Sequence, residues 1–176
     1  MYKIKKGQHR VAKVIIMKNI NSLVKMMISA SKFYQIDNNE DGTTSVINPF
    51  MILVTNQIIT EDNSQSLQHH KFNTQGVIKN IDAQLEEGGY AEKDVPSIKS
   101  LRECIKEVDV KSPKYSFGDV VVNAKWLLRT LECLSEDVII EYYNEKTPIR
   151  VYNNDSTMYI MPVYVNSVEH EEGDVW

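Results

Sequence analysis

The sequence contains few of the residues that catalysis, export or membrane insertion requires. Its 176 residues include seven glycines, none in a phosphate-cradling cluster, and two cysteines. Cys104 and Cys133 are far apart and have no Cys-x-x-Cys partner, which favours a reducing compartment and two small buried side chains. No apolar run approaches the roughly 18 residues of a membrane span, and the N-terminus lacks the apolar core of a signal peptide. We therefore expect a cytoplasmic protein with no membrane contact.

Catalytic motifs are also absent from the sequence. There is no Gly-x-Ser-x-Gly, no Walker-type loop and no His-Glu-x-x-His. Acidic pairs such as Glu40 and Asp41 lie in polar, loop-like sequence, where solvated charge is expected. The adjacent His69 and His70 would point to different sides of a helix or strand, and no Cys or carboxylate stands at ligand spacing. We predict no enzymatic activity, no cofactor and no metal site.

Charge is concentrated at the two ends of the chain, although the net charge is only −4. The first 18 residues contain six cations and no acid, whereas four acids lie near the end. A basic arm can contact nucleic acid, but a solvated terminus explains so few charges equally well. With 42% apolar and 25% charged residues, the composition is typical of one globular domain. We predict a basic N-terminal arm at 1–10, one domain at 11–165 and an acidic flexible tail at 166–176.

The first half of the domain, about 11–90, begins with clear patterns and then becomes ambiguous. The β-branched run "VAKVIIM" predicts a buried strand, and residues 18–32 have the spacing of an amphipathic helix. Residues 36–44 predict a turn, and the stretch from 45 to 62 predicts one or two strands. Between 61 and 94 the sequence is hard to interpret, because "VIKNIDAQL" fits either a strand or a short helix.

The second half, about 95–165, is clearer. A short helix with Pro96 in its first turn is expected at "VPSIKSLRECIKEV". "YSFGDVVV" predicts a strand, Asn123 is a candidate cap for an amphipathic helix, and three strands follow, separated by "NEKT" and "NNDS". Both halves thus share the order strand, helix, strands, although no sequence repeat is detectable.

The end of the chain resembles the closing half of the bacterial sliding clamp, the β subunit of DNA polymerase III. The resemblance covers about fifty residues and rests on pieces whose order and spacing match that family: Asn123, Trp126-Leu127-Leu128, the strand Val138 to Tyr142, Pro148-Ile149-Arg150-Val151 and Ile160-Met161-Pro162-Val163. Upstream, Val95-Pro96-Ser97-Ile98 stands where the family has a Phe-Pro-Asp-Tyr element, so the match is fainter there.

The resemblance implies an α+β fold, a clamp-like domain of two β-α-β-β-β units with two helices packed on a curved antiparallel sheet. A bacterial clamp chain has three such domains and two chains close a ring, whereas this chain has room for one domain. Either several copies join through their sheet edges, or the protein does not encircle DNA. Proline removes a ladder hydrogen bond, so Pro162 predicts the end or the edge of the last strand.

The function implied by the resemblance is a non-enzymatic accessory in DNA replication or repair. Its helices would meet double-stranded DNA weakly and without reading sequence, and a pocket at the last strand would take clamp-binding peptides of polymerase or repair proteins. The alternative is a stand-alone protein-interaction module that does not encircle DNA. The implied DNA-binding residues are Lys18, Lys25, Lys32, Lys125 and Arg129, and the implied peptide-binding residues are Pro148, Arg150, Tyr159, Ile160, Met161, Pro162 and Val163.

Overall fold

A computed structural model describes residues 20–61, 71–108, 111–134 and 137–164. The basic arm, the predicted strand at 11–17, Lys18, both adjacent histidines and the acidic tail lie outside these ranges.

The described residues form an α+β fold with four helices and two antiparallel sheets. The helices are α1 (20–30), α2 (Thr74–Gly88), α3 (Ile98–Glu107) and α4 (Ala124–Leu134). The strands are β1 (Gln35–Asn38), β2 (Thr44–Ile47), β3 (Met51–Thr55), β4 (Tyr90–Ala91), β5 (Lys114–Phe117), β6 (Val120–Asn123), β7 (Ile139–Tyr142), β8 (Ile149–Tyr152) and β9 (Ser156–Ile160). The large sheet has the order β1-β2-β3-β9-β8-β7-β4, and β5 and β6 form a separate hairpin.

Helices cover both faces of the large sheet. On the face that we call the α1/α4 face, buried side chains of five neighbouring strands stand opposite one another in a row: Val46, Leu53, Met158, Val151 and Ile140. They pack in one core with α1, α3 and α4. On the opposite side, the α2 face, Ile47, Ile52 and Tyr159 pack against Ile78, Ile81 and Leu85 of α2. This alternation is what the two-residue period of a strand requires when both faces are covered.

The two main helices of the α1/α4 face follow their apolar spacing. α1 buries Ile20, Leu23, Val24 and Met27, and α4 buries Ala124, Leu127, Leu131 and Leu134. Spacings of three and four residues place each set on one stripe of its helix. The prediction that Asn123 caps α4 is confirmed, since its Oδ1 accepts from the amide of Lys125 at 2.9 Å.

The fold repeats one unit, helix followed by three strands, at a nearly constant distance along the chain. The buried Ile20, Leu23 and Met27 of α1 correspond to the buried Ala124, Leu127 and Leu131 of α4 at a shift of 104 positions. From β1 to β7 the shift is again 104 (35 to 139). From β2 to β8 and from β3 to β9 it is 105 (44 to 149 and 51 to 156). Corresponding strands have equal lengths. The helix and the strands of the predicted duplication are therefore present as a structural repeat, whereas the strand predicted at 11–17 lies outside the described residues.

The two units meet where β3 pairs with β9. These strands are antiparallel, with Leu53 opposite Met158 at the midpoint of the ladder. From this pair the order runs outward through β2 and β1 on one side and through β8 and β7 on the other. Such an arrangement relates the units by an approximate two-fold axis perpendicular to the sheet. Because this axis keeps each face on its own side, α1 and α4 lie on the same face.

Several sequence predictions need correction. The stretch "YSFGDVVV" is a hairpin of two strands, because Gly118 turns the chain with a positive φ of 53°. The turn predicted at 36–44 starts later: β1 extends to Asn38, and the turn is completed by Gly42 at φ 83°. Pro96 precedes the helix cap rather than lying in the first turn, since the Oγ of Ser97 accepts from the amide of Ser100.

The ambiguous middle of the chain contains the element that covers the second sheet face. Helix α2 is fifteen residues long and includes all of "VIKNIDAQL". Its N-terminal end lies beside β1, where Thr74 Oγ1 donates to Asp37 at 3.3 Å. Its C-terminal end lies beside the residue after β7, since a Cβ added at Gly88 would meet the Tyr143 ring at 2.5 Å. The helix therefore crosses the large sheet from β1 to β7.

One buried asparagine, Asn48, connects the β2–β3 turn to α1 by hydrogen bonds. Asn48 Nδ2 donates to the carbonyl oxygen of Met27 at 2.8 Å. Its Oδ1 accepts from the backbone amides of Phe50 and Met51, each at 2.8 Å. One side chain thus closes the turn and also satisfies a carbonyl in the last turn of the helix, where intrahelical partners run out.

The β8–β9 turn repeats this arrangement at the equivalent position, 105 residues later. Asn153 Nδ2 donates to the carbonyl oxygen of Leu134 in α4 at 2.8 Å. Its Oδ1 accepts from the amides of Asp155 and Ser156, each at 3.0 Å. In each unit, therefore, an asparagine side chain joins the helix to the second hairpin turn by the same three kinds of hydrogen bond.

Removing either asparagine should destabilise the fold. We expect Asn48→Ala to lower the free energy of unfolding by about 2–3 kcal/mol and the less buried Asn153→Ala by about 1–2 kcal/mol, because each change leaves a helix carbonyl and two turn amides without their partner. Urea unfolding followed by circular dichroism measures both. Asn154→Ala, at the exposed neighbouring position, is the matched control. A loss no larger than the control's for both variants would contradict this role of the asparagines.

Candidate functional site

The predicted DNA-binding residues that lie in described parts of the chain are exposed on or next to the helices of the α1/α4 face. Lys25 of α1 and Arg129 of α4 occupy equivalent positions in the two units, 104 residues apart. Lys32 is exposed just after α1. Lys25 Nζ lies 3.7 Å from a carboxylate oxygen of Glu61. Since an exposed ion pair at this distance is weak, Lys25 remains available to other anions.

Near α4 the basic groups outnumber the acids. Glu132 accepts from two guanidinium groups, that of Arg102 in α3 at 2.6 Å and that of Arg129 at 3.2 Å. Lys125 Nζ donates to the backbone carbonyl of Lys111 at 3.1 Å. One carboxylate therefore stands among three cations, and the local charge is positive.

A groove separates α1, α3 and α4 on this face. It has a volume of about 400 Å³. Met26, Ile105 and Leu128 contribute apolar side chains, one from each helix, and the polar residues that line it are Lys125, Arg129 and Glu132. We call this feature the cationic groove. It combines apolar surface with the positive charge described above.

The predicted peptide-binding residues do not lie together on one surface. Ile160 is fully buried on the α1/α4 face, whereas Tyr159 is buried beneath α2. Pro148 is buried at the start of β8, and Arg150 is only partly exposed. Adjacent strand residues point to opposite faces, which explains why Tyr159 and Ile160 are separated. A peptide can reach Tyr159 or Ile160 only if a helix moves.

A polar cluster lies under α2 at the middle of the sheet. Asp82 of α2 accepts from Tyr159 Oη and from the guanidinium of Arg150, each at 2.8 Å. The same guanidinium donates to Glu141 at 2.7 Å, and Tyr152 Oη donates to Glu141 at 3.2 Å. Asp82 thus fixes the position of α2 on the sheet through bonds to two strands, since hydrogen bonds to charged groups are stronger than neutral ones.

Two members of the cluster, Tyr159 and Arg150, have shifted pKa values. Burial, followed by the bond to Asp82, raises the pKa of Tyr159 well above its usual value of 10. Burial opposes the charge on Arg150, but the bonds to Glu141 and the attraction of Asp82 outweigh it and raise the pKa of Arg150. Both raised pKa values keep Tyr159 and Arg150 protonated at neutral pH, so these two groups hold α2 on the sheet without exchanging a proton there.

The remaining predicted peptide residues, Met161, Pro162 and Val163, are half-buried and follow β9. The prediction that the strand ends at Pro162 is confirmed, because β9 stops at Ile160. The amide of Met161 donates to the carbonyl of Phe50 at 2.9 Å. The amide of Val163 donates to the carbonyl of Val121 in β6 at 2.7 Å. Pro162 lies where the chain passes from the large sheet to the hairpin.

An aromatic pair lies close to this segment. The ring centroids of Phe50 and Trp126 are 5.0 Å apart, and Phe50 is 38% exposed. Since Phe50 also accepts the backbone bond from Met161, the exposed apolar surface of the pair continues into the Met-Pro segment. Sequence reasoning recognised Trp126 but missed Phe50, which lies in an Asn-Pro-Phe turn without any recognised pattern.

Sequence reasoning also missed Asp82. A usable signal was present, because Ile78, Ile81 and Leu85 have helical spacing behind Asn73, whose Oδ1 accepts from the amide of Gly76 at 3.0 Å. Reading that spacing would have predicted α2, although not which sheet face it covers.

Metal and membrane features can be judged for the described ranges. Within them, no group of three or more His, Cys, Asp or Glu side chains is placed to hold a metal ion. None of the helices in these ranges is long and apolar enough to cross a bilayer.

Comparison with protein-family models, with characterised proteins and with solved structures finds no match to this chain.

The raised pKa of Tyr159 predicts a specific pH dependence. The pKa of Tyr159 in the folded protein lies above the unfolded value of about 10. Its contribution to the free energy of unfolding is therefore complete below pH 10 and is lost as the pH rises above 10. We expect wild type to exceed Tyr159→Phe in unfolding free energy by about 1 kcal/mol at pH 8, and this gap to close between pH 10 and 11.

Urea unfolding of both proteins from pH 8 to pH 11 measures the gap. Tyr164→Phe, at an exposed position, controls for the loss of a phenol. A gap between wild type and Tyr159→Phe that stays constant up to pH 11 would contradict the buried hydrogen bond to Asp82.

Proposed function

We propose that this protein is a non-enzymatic, clamp-like accessory of DNA replication or repair that holds duplex DNA against its α1/α4 face without reading sequence. The observation that carries the proposal is the repeated helix and three-strand unit. Its approximate two-fold axis puts α1 and α4 on one face and sets Lys25 and Arg129 at equivalent positions. The phosphates of duplex DNA are themselves related by two-fold axes, because the strands are antiparallel. A two-fold arrangement of cations can therefore meet both strands alike.

The number of cations on the α1/α4 face determines how tightly we expect the protein to bind DNA. Lys25, Lys32, Lys125 and Arg129 are exposed, and each can neutralise at most one phosphate. A handful of such contacts gives weak, strongly salt-dependent binding. A single copy presents only one face, so surrounding DNA would require several copies joined through the outer strands of the large sheet, β1 and β4.

Salt dependence tests the DNA contact. Lys25→Ala combined with Arg129→Ala removes two equivalent cations, so the slope of log affinity against log salt should become shallower by about 1.8. Fluorescence anisotropy with two unrelated duplexes of equal length, between 25 and 200 mM salt, measures this slope. We expect the same affinity for both sequences.

The matched control is Lys79→Ala combined with Lys146→Ala. These lysines are exposed on α2 and in the β7–β8 turn, and the net charge changes equally. If this control weakens DNA binding as much as the test variant, net charge rather than the α1/α4 face is responsible. Analytical ultracentrifugation adds a second criterion: a strictly monomeric protein that shows no salt-dependent retention on DNA would overturn the clamp proposal in favour of an interaction module.

Partner-peptide binding is the second candidate function. It is favoured by the exposed apolar surface at Phe50, Trp126 and the segment from Met161 to Val163. Methionine suits such a surface, because its flexible and polarizable side chain adapts to varied partners. The bound peptide would contact these residues, and Tyr159, Arg150 and Ile160 would support the site from beneath.

Acidic substitutions test this surface. Met161→Asp combined with Val163→Asp should lower the affinity for a fluorescent peptide carrying a bacterial clamp-binding motif at least tenfold, because the apolar contact is replaced by charge. Val77→Asp, at an exposed apolar position on α2, is the control, and circular dichroism checks folding. Unchanged peptide affinity in the folded double variant would show that the segment binds no such peptide.

A further inference from the structure

The cationic groove lies close to the point where the described chain stops. The amide of Val163 is bonded to the carbonyl of Val121, and Tyr164 is the last described residue. Val121 belongs to β6, which leads directly into α4, and Lys125 in the first turn of α4 lines the groove. The described chain therefore ends close to the first turn of α4, which lines the groove, and we call residues 166–176 the acidic segment. Eleven residues reach roughly 35 Å when extended, which is more than enough to cross it.

The acidic segment and the groove have opposite charge. The segment contains Glu169, Glu171, Glu172 and Asp174 and no Lys or Arg. Its four acids equal the net charge of the whole chain, so the other 165 residues carry 20 acids and 20 basic residues. The groove offers cations to these acids: Arg102 and Arg129 share the carboxylate of Glu132, and Lys125 lines the same groove.

Both the acidic segment and the cationic groove also contain apolar side chains. The acidic segment contains Val168, Val175 and Trp176 among its acids. The groove offers Met26, Ile105 and Leu128 beside its cations. Burial of an aromatic ring on such a surface adds favourable free energy that a purely charged segment would not gain.

We infer that the acidic segment 166–176 binds in the cationic groove of its own chain and competes there with DNA. The competition with DNA rests on the proposed function, whereas the binding of the segment does not. Because the segment is tethered next to the groove, its effective concentration is high, and even a weak contact holds it in place. DNA then binds only by displacing it, which makes the segment a built-in competitor that lowers DNA affinity.

Fluorine NMR of the full chain labelled with 5-fluorotryptophan tests the binding directly. The chain has two tryptophans, Trp126 and Trp176, and Trp176→Phe assigns their signals. We expect the Trp176 signal to be protected from a soluble paramagnetic agent at low salt. Protection should be lost in 0.5 M salt and in the variant Lys125→Ala/Arg129→Ala, but kept in Lys79→Ala/Lys146→Ala.

Neutralising the segment tests the competition. The variant Glu169→Gln/Glu171→Gln/Glu172→Gln/Asp174→Asn should lose protection of Trp176 and bind duplex DNA roughly tenfold more tightly than the unaltered chain. If Trp176 responds as expected but no variant binds DNA, the proposed function fails while the segment's place in the groove stands. Equal DNA affinity of the neutralised and unaltered chains overturns the competition.

Two further outcomes overturn the binding itself. Protection that depends on protein concentration would mean that the segment occupies the groove of a second copy. Protection that survives Lys125→Ala/Arg129→Ala but is lost when the six basic residues of the first 18 positions are changed to Ala would mean that the segment pairs with the basic arm instead.

Discussion

The antiparallel pairing of β3 with β9 is the constraint on which the rest of the molecule depends. It joins two copies of the same unit, and its register decides which side chains of seven strands face α1 and α4 and which face α2. If β9 slipped by one residue against β3, Met158 would turn toward α2 and Tyr159 would turn away from Asp82, while Leu53 stayed on its own face. The core on one face and the polar cluster on the other are therefore set by a single ladder.

Much of the fold could be predicted from the sequence where one physical signal dominates. The apolar stripes of α1 and α4, the cap at Asn123 and the last three strands each follow from periodicity or turn chemistry within a few neighbouring residues. The sheet order could not be predicted in this way, since pairing β3 with β9 brings together residues about 100 positions apart. The same holds for Asn48 and Asn153, whose neighbourhoods look like ordinary turns until the helix carbonyls above them are known.

The candidate sites differ in how far sequence could specify them. The cations of α1 and α4 were predictable, because an exposed stripe follows from the helical period alone. Five of the predicted peptide residues, 159–163, form one continuous run, and a strand sends alternate residues to opposite faces. Tyr159 therefore lies under α2 and Ile160 in the core, whereas the segment after β9 is half-buried and accessible. Sequence reasoning did not predict that helix α2 covers the face of the sheet that holds Tyr159.

The structural repeat also indicates where this chain can tolerate insertions. β4, α2 and α3 all belong to the connector between the units, and none of them has a counterpart in the repeat. A connector can lengthen at little entropic cost while the paired units keep their register. The approximate two-fold axis also makes the paired edges of β3 and β9 nearly alike. A half-length chain holding one unit would therefore carry a self-complementary edge, from which a symmetric dimer rebuilds the sheet without any connector.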